Sequence, residues 1–160
     1  MLKQALVVAA LLLPGAFANA HEYTVGDLHI AHPWSLALPP NAPNVAAYFV
    51  VHNNGKRDDR LLSVDTPISG QAQLHEHVQS GSGAMRMQQV ASVAVPAGQD
   101  LVFAPSAYHV MILQPSERSL LVAGQRFPLT LHFERAGDVT VQVAVQQQAP
   151  AAQQGHDHAH

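Results

Sequence analysis

The alternation of short apolar runs with turn residues constrains the fold of this chain more than any other feature. Residues 23–30 predict a first strand, 31–43 a proline-rich loop around Trp34, and 120–122 a short late strand. No stretch shows a 3.6-residue apolar period of helical length. Many short strands at this spacing are typical of an antiparallel sandwich or barrel. The sequence therefore predicts an all-β domain.

The first twenty residues predict a secretory signal peptide. They have a basic start at Lys3, an apolar run over 5–13, and Ala18-Asn19-Ala20 as a small-x-small cleavage site. The apolar run is too short to span a membrane, and no cysteine follows for a lipid anchor. We expect an exported, periplasmic and soluble protein, with residues 1–20 removed and a single domain over 21–146 that begins at His21.

Charge and motifs exclude several classes of function. Without Lys3 the chain carries 7 basic and 11 acidic side chains, a formal net charge of −4. Because it has no basic patch, we expect no nucleic-acid partner. No serine stands in a G-x-S-x-G context, and no carboxylate pair is indicated by spacing. We therefore expect a binding protein and not an enzyme. We also expect the protein to be a monomer.

Methionine and histidine are concentrated in residues 71–113. Apart from Met1, the methionines of the chain are Met85, Met87 and Met111. Methionine that serves only as core filler would be scattered along the sequence. Here the thioethers accompany a group of histidines, which are His75, His77 and His109.

The spacing of these residues predicts a β-hairpin with a shared face. Residues 79–83 are a turn cluster between two strand-like runs. A turn centred on Gly81 places His75 opposite Met87 and His77 opposite Met85, and opposed side chains have Cβ atoms roughly 4.5–5.5 Å apart. A third strand over 107–113 carries His109 and Met111 on one face, because alternate residues of a strand share a face.

This set of side chains favours copper. Thioether sulfur binds Cu(I) well and Zn²⁺, Mg²⁺ or Ca²⁺ poorly, while imidazole binds both Cu(I) and Cu(II). The chain has no cysteine, which excludes a blue-copper thiolate centre, a dithiolate copper carrier and covalent c-type haem attachment. The alternative is a methionine-lined packing surface with surface histidines.

The same residues carry a family resemblance. The sequence contains His75, a methionine twelve residues later at Met87 and, after twenty-one intervening residues, a His-x-Met formed by His109 and Met111. With this motif the chain resembles the periplasmic copper chaperones called PCuAC. The resemblance covers most of the mature domain, including AHPW at 31–34, AAYFVVHN at 46–53, DDRLLSVDTP at 58–67, LHEH at 74–77, GAMRM at 83–87, VPAG at 95–98, AYHVM at 107–111 and LTLHFERAGDVTVQV at 129–143.

The resemblance implies a cupredoxin-like antiparallel β-sandwich of the Greek-key type. It implies one Cu(I) held by the four motif side chains, and delivery of copper toward the CuA-type site of a respiratory haem-copper oxidase, with a cytochrome c oxidase subunit or a Sco-type thiol protein as partner. His77 stands where methionine is common in the family, and Ser106-Ala107 where a glycine pair is common. His77, Met85 and His21 are auxiliary candidates.

Residues 147–160 predict a disordered, histidine-rich tail. The segment lacks the apolar residues needed to fold. His156, His158 and His160 alternate with Asp157 and Ala159, a tract able to bind Cu(II), Zn²⁺ or Ni²⁺. We expect it to capture Cu(II) near the His/Met site, with a solubilising tail as the alternative.

Three other functions remain open at the level of sequence. An N-terminal His21 exposed by cleavage would suit a copper-dependent oxidative enzyme with a histidine brace, provided that a second histidine lies nearby. A structural or adhesive β-sandwich, in which the His/Met cluster is accidental, is a second. A haem protein with His/Met axial ligation is the weakest.

Overall fold

The computed structural model describes residues 22–151. The predicted signal peptide (1–20), His21 and the tail histidines His156, His158 and His160 lie outside the described residues. Within the described residues no helix is long and apolar enough to cross a membrane.

Eleven strands and one short 3-10 helix make up the described part of the chain. The helix is Arg118–Leu121. The strands are β1 Tyr23–Val25, β2 Leu28–Leu36, β3 Asn44–Asn53, β4 Asp59–Asp65, β5 Gln71–Gln79, β6 Met85–Val90, β7 Val93–Val95, β8 Asp100–Phe103, β9 His109–Leu113, β10 Arg126–Phe133 and β11 Gly137–Gln146.

The strands form an almost entirely antiparallel sandwich. Their hydrogen-bonded order is β6-β5-β9-β3-β2-β11-β10-β4-β7, with β1 added to β2 and β8 to β3. Among the named pairs only β11 and β2 run parallel. Buried residues of β3, β5 and β9 and of β4, β10 and β11 belong to one core cluster. The two halves of the sheet therefore face each other across a shared core, which confirms the predicted all-β fold.

Strict alternation explains why the strands adopt this arrangement. On β10, Phe127, Leu129, Leu131 and Phe133 are buried, whereas the residues between them are not. They pair with β11, whose Val141, Val143 and Val145 are also buried. Burying one such side chain contributes about 1.5–3 kcal/mol, so each strand is held by one apolar face.

The N-terminal region differs from the sequence-based expectation. The predicted strand over 23–30 is two strands, because Gly26 adopts a φ of +54° and turns the chain between β1 and β2. The predicted loop over 31–43 begins only after Leu36, since β2 continues past a bulge between Ala31 and Trp34. His32 takes a φ of 51° in this bulge. The bulge thereby accommodates Pro33, and Trp34 is buried against Tyr48 with ring centroids 4.6 Å apart.

Arg118 holds the remaining proline loop. Its guanidinium donates hydrogen bonds to the carbonyl oxygens of Pro39, Pro40 and Ala42, at 2.9, 2.9 and 3.0 Å. Arg118 lies in the 3-10 helix, where a short strand over 120–122 was predicted. The contact fixes the loop that leads into β3, and β3 pairs with β9.

Candidate metal centre

Three neighbouring strands, β6, β5 and β9, bring the predicted ligands onto one face. His75 on β5 lies directly opposite His109 on β9, and Gln73 lies opposite Met111. On the other side of β5, His77 lies opposite Met87 of β6. The four motif residues are thus gathered across adjacent strands, as the alternation of side chains predicts.

The register of the hairpin differs from the expected one. His75 lies opposite Gln89, not Met87, and Met85 lies opposite Gln79, not His77. The turn closes one residue later, because the Ser80 N–H donates to the Ala84 oxygen at 2.8 Å. An even shift leaves every side chain on its predicted face. Its effect is to move His77, and not His75, to the position opposite Met87.

Two ring nitrogens in this group are buried and have no hydrogen-bond partner: Nδ1 of His75 and Nε2 of His109. The other nitrogen of each ring faces an oxygen. His75 Nε2 lies 2.9 Å from Gln73 Oε1, and His109 Nδ1 lies 3.5 Å from the Ala107 carbonyl oxygen. Because an oxygen of this kind accepts, each ring carries its proton there. The two unpartnered nitrogens consequently present lone pairs, as imidazoles that bind a metal do.

Burial keeps both rings in the neutral form that can bind a cation. Burial lowers the pKa of His75 below its usual value. It also lowers the pKa of His109, which is 2% exposed. The hydrogen bond to Ala107 opposes this effect on the His109 pKa, and the charges that His75 and His77 would carry reinforce it. Protons therefore compete weakly with a metal ion at neutral pH.

His77 is as close to the buried ring as His75 is. The ring centroids of His77 and His109 are 5.3 Å apart, and those of His75 and His109 are 5.5 Å apart. Two imidazoles that bind one ion at about 2.0–2.1 Å hold their ring centres roughly 5 Å apart. Sequence reasoning placed His77 only among the auxiliary candidates.

The methionines lie toward the outside of this candidate centre. Met87 is 52% exposed and Met85 59% exposed, both on the edge strand β6, while Met111 is partly buried. Within residues 22–151, no group of three or more His, Cys, Asp or Glu side chains is arranged to hold one ion. Met87 and Met111 share a face with the imidazoles, and such a neutral, soft donor set fits Cu(I).

Three other described histidines, His29, His52 and His132, make contacts outside this group. His29 stacks on His52 with ring centroids 5.8 Å apart, and His52 Nδ1 is 2.6 Å from Asp100 Oδ1. His132 lies between two carboxylates, with Nδ1 2.8 Å from Asp138 Oδ1 and Nε2 bonded to Asp65. Sequence analysis missed both arrangements, because their members meet only through strand pairing.

The chain is similar to one protein family and to several solved PCuAC domains, one of them copper-bound. A family model described as "Putative lipoprotein LpqE-like" matches residues 28–145. The apo PCuAC domain from PmoF1 is 32% identical over 81% of this chain and 100% of that chain, with a TM-score of 0.69. "Copper-bound PCuAC domain from PmoF2" is 29% identical over 80% and 99%, with a TM-score of 0.68. These likenesses confirm the expected cupredoxin-like sandwich.

A more distant structure shares the fold. The Cu(I) form of DR1885 from Deinococcus radiodurans is 23% identical over 82% of this chain and 84% of that chain, with a TM-score of 0.60. No curated protein matches the sequence.

Proposed function

The chain belongs to the LpqE-like family of PCuAC-type proteins, and from this premise we propose that it is a periplasmic chaperone for Cu(I). The proposed ligands are His75, Met87, His109 and Met111. Copper is the cargo of such a protein and not a resident cofactor, so no turnover is required of the site.

The observation that carries the proposal is the pair of buried, unpartnered ring nitrogens. Nearly all buried polar groups in proteins have a hydrogen-bond partner. Two exceptions on directly opposed residues, with thioethers on the same face, are explained by an ion that completes them. A methionine-lined packing surface would give no reason to leave these nitrogens unpaired.

The position of the thioethers supports uptake and release. Met87 is half exposed on the edge strand, whereas His109 is buried. An ion can therefore meet sulfur first and imidazole afterwards, and can leave in the reverse order. All four ligands are uncharged, so a partner that offers thiolates binds Cu(I) more strongly and can take it by ligand exchange.

We propose that the copper goes toward the CuA-type site of a respiratory haem-copper oxidase. The acceptor would be the oxidase subunit itself or a Sco-type thiol protein, and the family resemblance supports this direction. Signal-peptide cleavage after Ala20 would place the protein in the periplasm with its acceptor. The tail histidines His156, His158 and His160, outside the described residues, would capture Cu(II) for the same route.

Copper K-edge X-ray absorption tests the site. The full mature chain would carry His156→Gln, His158→Gln and His160→Gln so that only the folded domain binds. We expect sulfur and nitrogen scatterers together, with the sulfur contribution reduced by Met87→Leu or Met111→Leu. Met85→Leu, at a similarly exposed residue of the same strand, shows whether this auxiliary candidate contributes sulfur as well. Nitrogen or oxygen scatterers alone would contradict the proposal.

A further inference from the structure

Gln73 contacts one of the two rings that leave a nitrogen unpaired. Its Oε1 atom lies 2.9 Å from Nε2 of His75, in a partly buried position on the same strand. Gln73 and His75 are two residues apart and share a face of β5. Gln73 also lies directly opposite Met111 on β9. Gln73 therefore neighbours a proposed imidazole ligand on its own strand and a proposed thioether ligand on the adjacent strand.

A neutral imidazole has one protonated nitrogen and one with a free lone pair. In the structure the oxygen of the Gln73 amide, and not its NH2 group, faces Nε2 of His75. Because this oxygen accepts, the contact places the proton of His75 on Nε2. The lone pair is then on Nδ1, which is the buried atom without a partner. With the proton on Nδ1 instead, the metal-facing nitrogen would be unable to bind an ion and Nε2 would face an oxygen without a hydrogen between them.

We propose that Gln73 is a positioning residue that fixes the tautomer of His75, so that Nδ1 and not Nε2 binds the copper ion. This inference rests on the proposed function for the role of the ion, but the tautomer itself belongs to the copper-free protein. The ring of His109 is fixed in the opposite sense, since its Nδ1 faces the Ala107 carbonyl and its Nε2 is free. The tautomer of His75 thus depends on a side chain, and that of His109 depends on the backbone.

The dependence on a side chain makes the inference testable by substitution. Gln73→Leu removes the acceptor, while Gln73→Glu keeps an acceptor oxygen at the same place. Gln71→Leu is the matched control, because Gln71 lies on the same strand and the same face, with Leu113 opposite. Circular dichroism and thermal unfolding of each variant would verify the fold.

The first measurement is long-range ¹H–¹⁵N NMR of the histidine rings in the copper-free, full mature chain at pH 7. We expect His75 to be protonated at Nε2 in the wild type, in Gln73→Glu and in Gln71→Leu. In Gln73→Leu we expect a mixture of tautomers. A wild-type ring protonated at Nδ1, or an unchanged Nε2 tautomer in Gln73→Leu, would overturn the inference.

The second measurement is Cu(I) affinity by competition with a chromogenic chelator. Loss of a group that orients a metal ligand typically lowers affinity by about 10–100-fold, and we expect a decrease in this range for Gln73→Leu. Gln73→Glu should recover most of it, and Gln71→Leu should match the wild type. Equal losses in the Leu and Glu variants would contradict a role in orienting His75.

The two proposals fail in different ways. If the wild-type chain binds no stoichiometric Cu(I), the proposed function is wrong, and the NMR result still decides whether Gln73 sets the tautomer. If Cu(I) binds and Gln73→Leu changes neither tautomer nor affinity, only the role of Gln73 is wrong.

Discussion

His109 and His75 occupy directly opposed positions on β9 and β5, and their ring centroids lie 5.5 Å apart. Each ring leaves one buried nitrogen without a hydrogen bond. A buried polar atom without a partner costs about 1–3 kcal/mol of folding free energy. The copper-free fold is therefore less stable at this point than it would be with apolar side chains.

Replacing the buried ring should separate stability from function. We predict that His109→Leu raises the free energy of unfolding of the copper-free chain by about 1 kcal/mol, because leucine has a similar size and no unpaired polar atom. The same change should abolish stoichiometric Cu(I) binding. Urea unfolding with a copper chelator present measures the first effect, and chelator competition measures the second.

His29→Leu is the control for this experiment. His29 is partly exposed, and its Nε2 lies 3.5 Å from Glu22 Oε2. Replacing this ring therefore removes no buried, unpaired atom. We expect neither a gain in stability nor a loss of Cu(I) binding. A clear decrease in the unfolding free energy of His109→Leu would show that the ring is satisfied in the copper-free protein.

His77 should influence the relative affinity of the site for Cu(I) and Cu(II). The His77 ring lies 5.3 Å from that of His109, and His77 lies directly opposite Met87 on β6. We predict that His77→Met keeps or raises Cu(I) affinity and lowers Cu(II) affinity by about tenfold or more, because Cu(II) prefers imidazole nitrogen and Cu(I) accepts thioether sulfur. Chelator competition for each state, in a chain without the tail histidines, gives both values.

For this experiment His52→Met is a suitable control, since His52 is partly exposed and its Nδ1 lies 2.6 Å from Asp100 Oδ1. It should leave both affinities unchanged. Parallel losses of Cu(I) and Cu(II) in His77→Met would instead indicate damage to the hairpin.

The hairpin shows how far sequence reasoning reaches. Alternation along β5 and β6 correctly places His75, His77 and Met87 on one face. Apolar patterning fixes the face of each side chain but not the offset between strands, because any even shift preserves the faces. The offset depends on which residue of 80–83 takes the left-handed conformation, and the structure assigns a φ of +84° to Gly83.

Contacts that depend on polar side chains were less predictable. Gln73 carries no motif, although its place two residues before His75 on one strand would have indicated a shared face. The cluster of His132 with Asp65 and Asp138 joins β10 to both β4 and β11. Such a cluster becomes visible only once the strand order is known, since Asp65 is distant in sequence.

The loop over 37–43 should depend on Arg118. Three carbonyl oxygens accept hydrogen bonds from its guanidinium. We predict that Arg118→Ala lowers the free energy of unfolding by about 1–2 kcal/mol and accelerates amide hydrogen exchange at Ala42, whose N–H donates to the Pro39 oxygen at 3.0 Å. Arg118→Lys should recover little, because an ammonium group lacks the planar fork of donors. Full recovery by lysine would show that charge alone holds the loop.

Stability should respond to pH through His132. Hydrogen bonds to Asp65 and Asp138 are the main cause that raises the pKa of His132 above its usual value of 6.5. Below about 6.5 the ring is protonated in both the folded and the unfolded chain, so its ion pairs contribute fully. As the pH rises through the folded pKa, the folded chain loses this proton and the contribution disappears.

We therefore predict that His132→Gln lowers the melting temperature at pH 6 and has a much smaller effect at pH 8.5. Taking the difference between wild type and variant at each pH removes the contributions of the other histidines, including the opposite trend expected from the lowered pKa of His75 and His109. Asp138→Asn removes one of the two carboxylates and should give an intermediate effect at pH 6. A His132→Gln difference that stays constant from pH 6 to 8.5, or grows with pH, would show that the pKa of His132 is not raised in the folded protein.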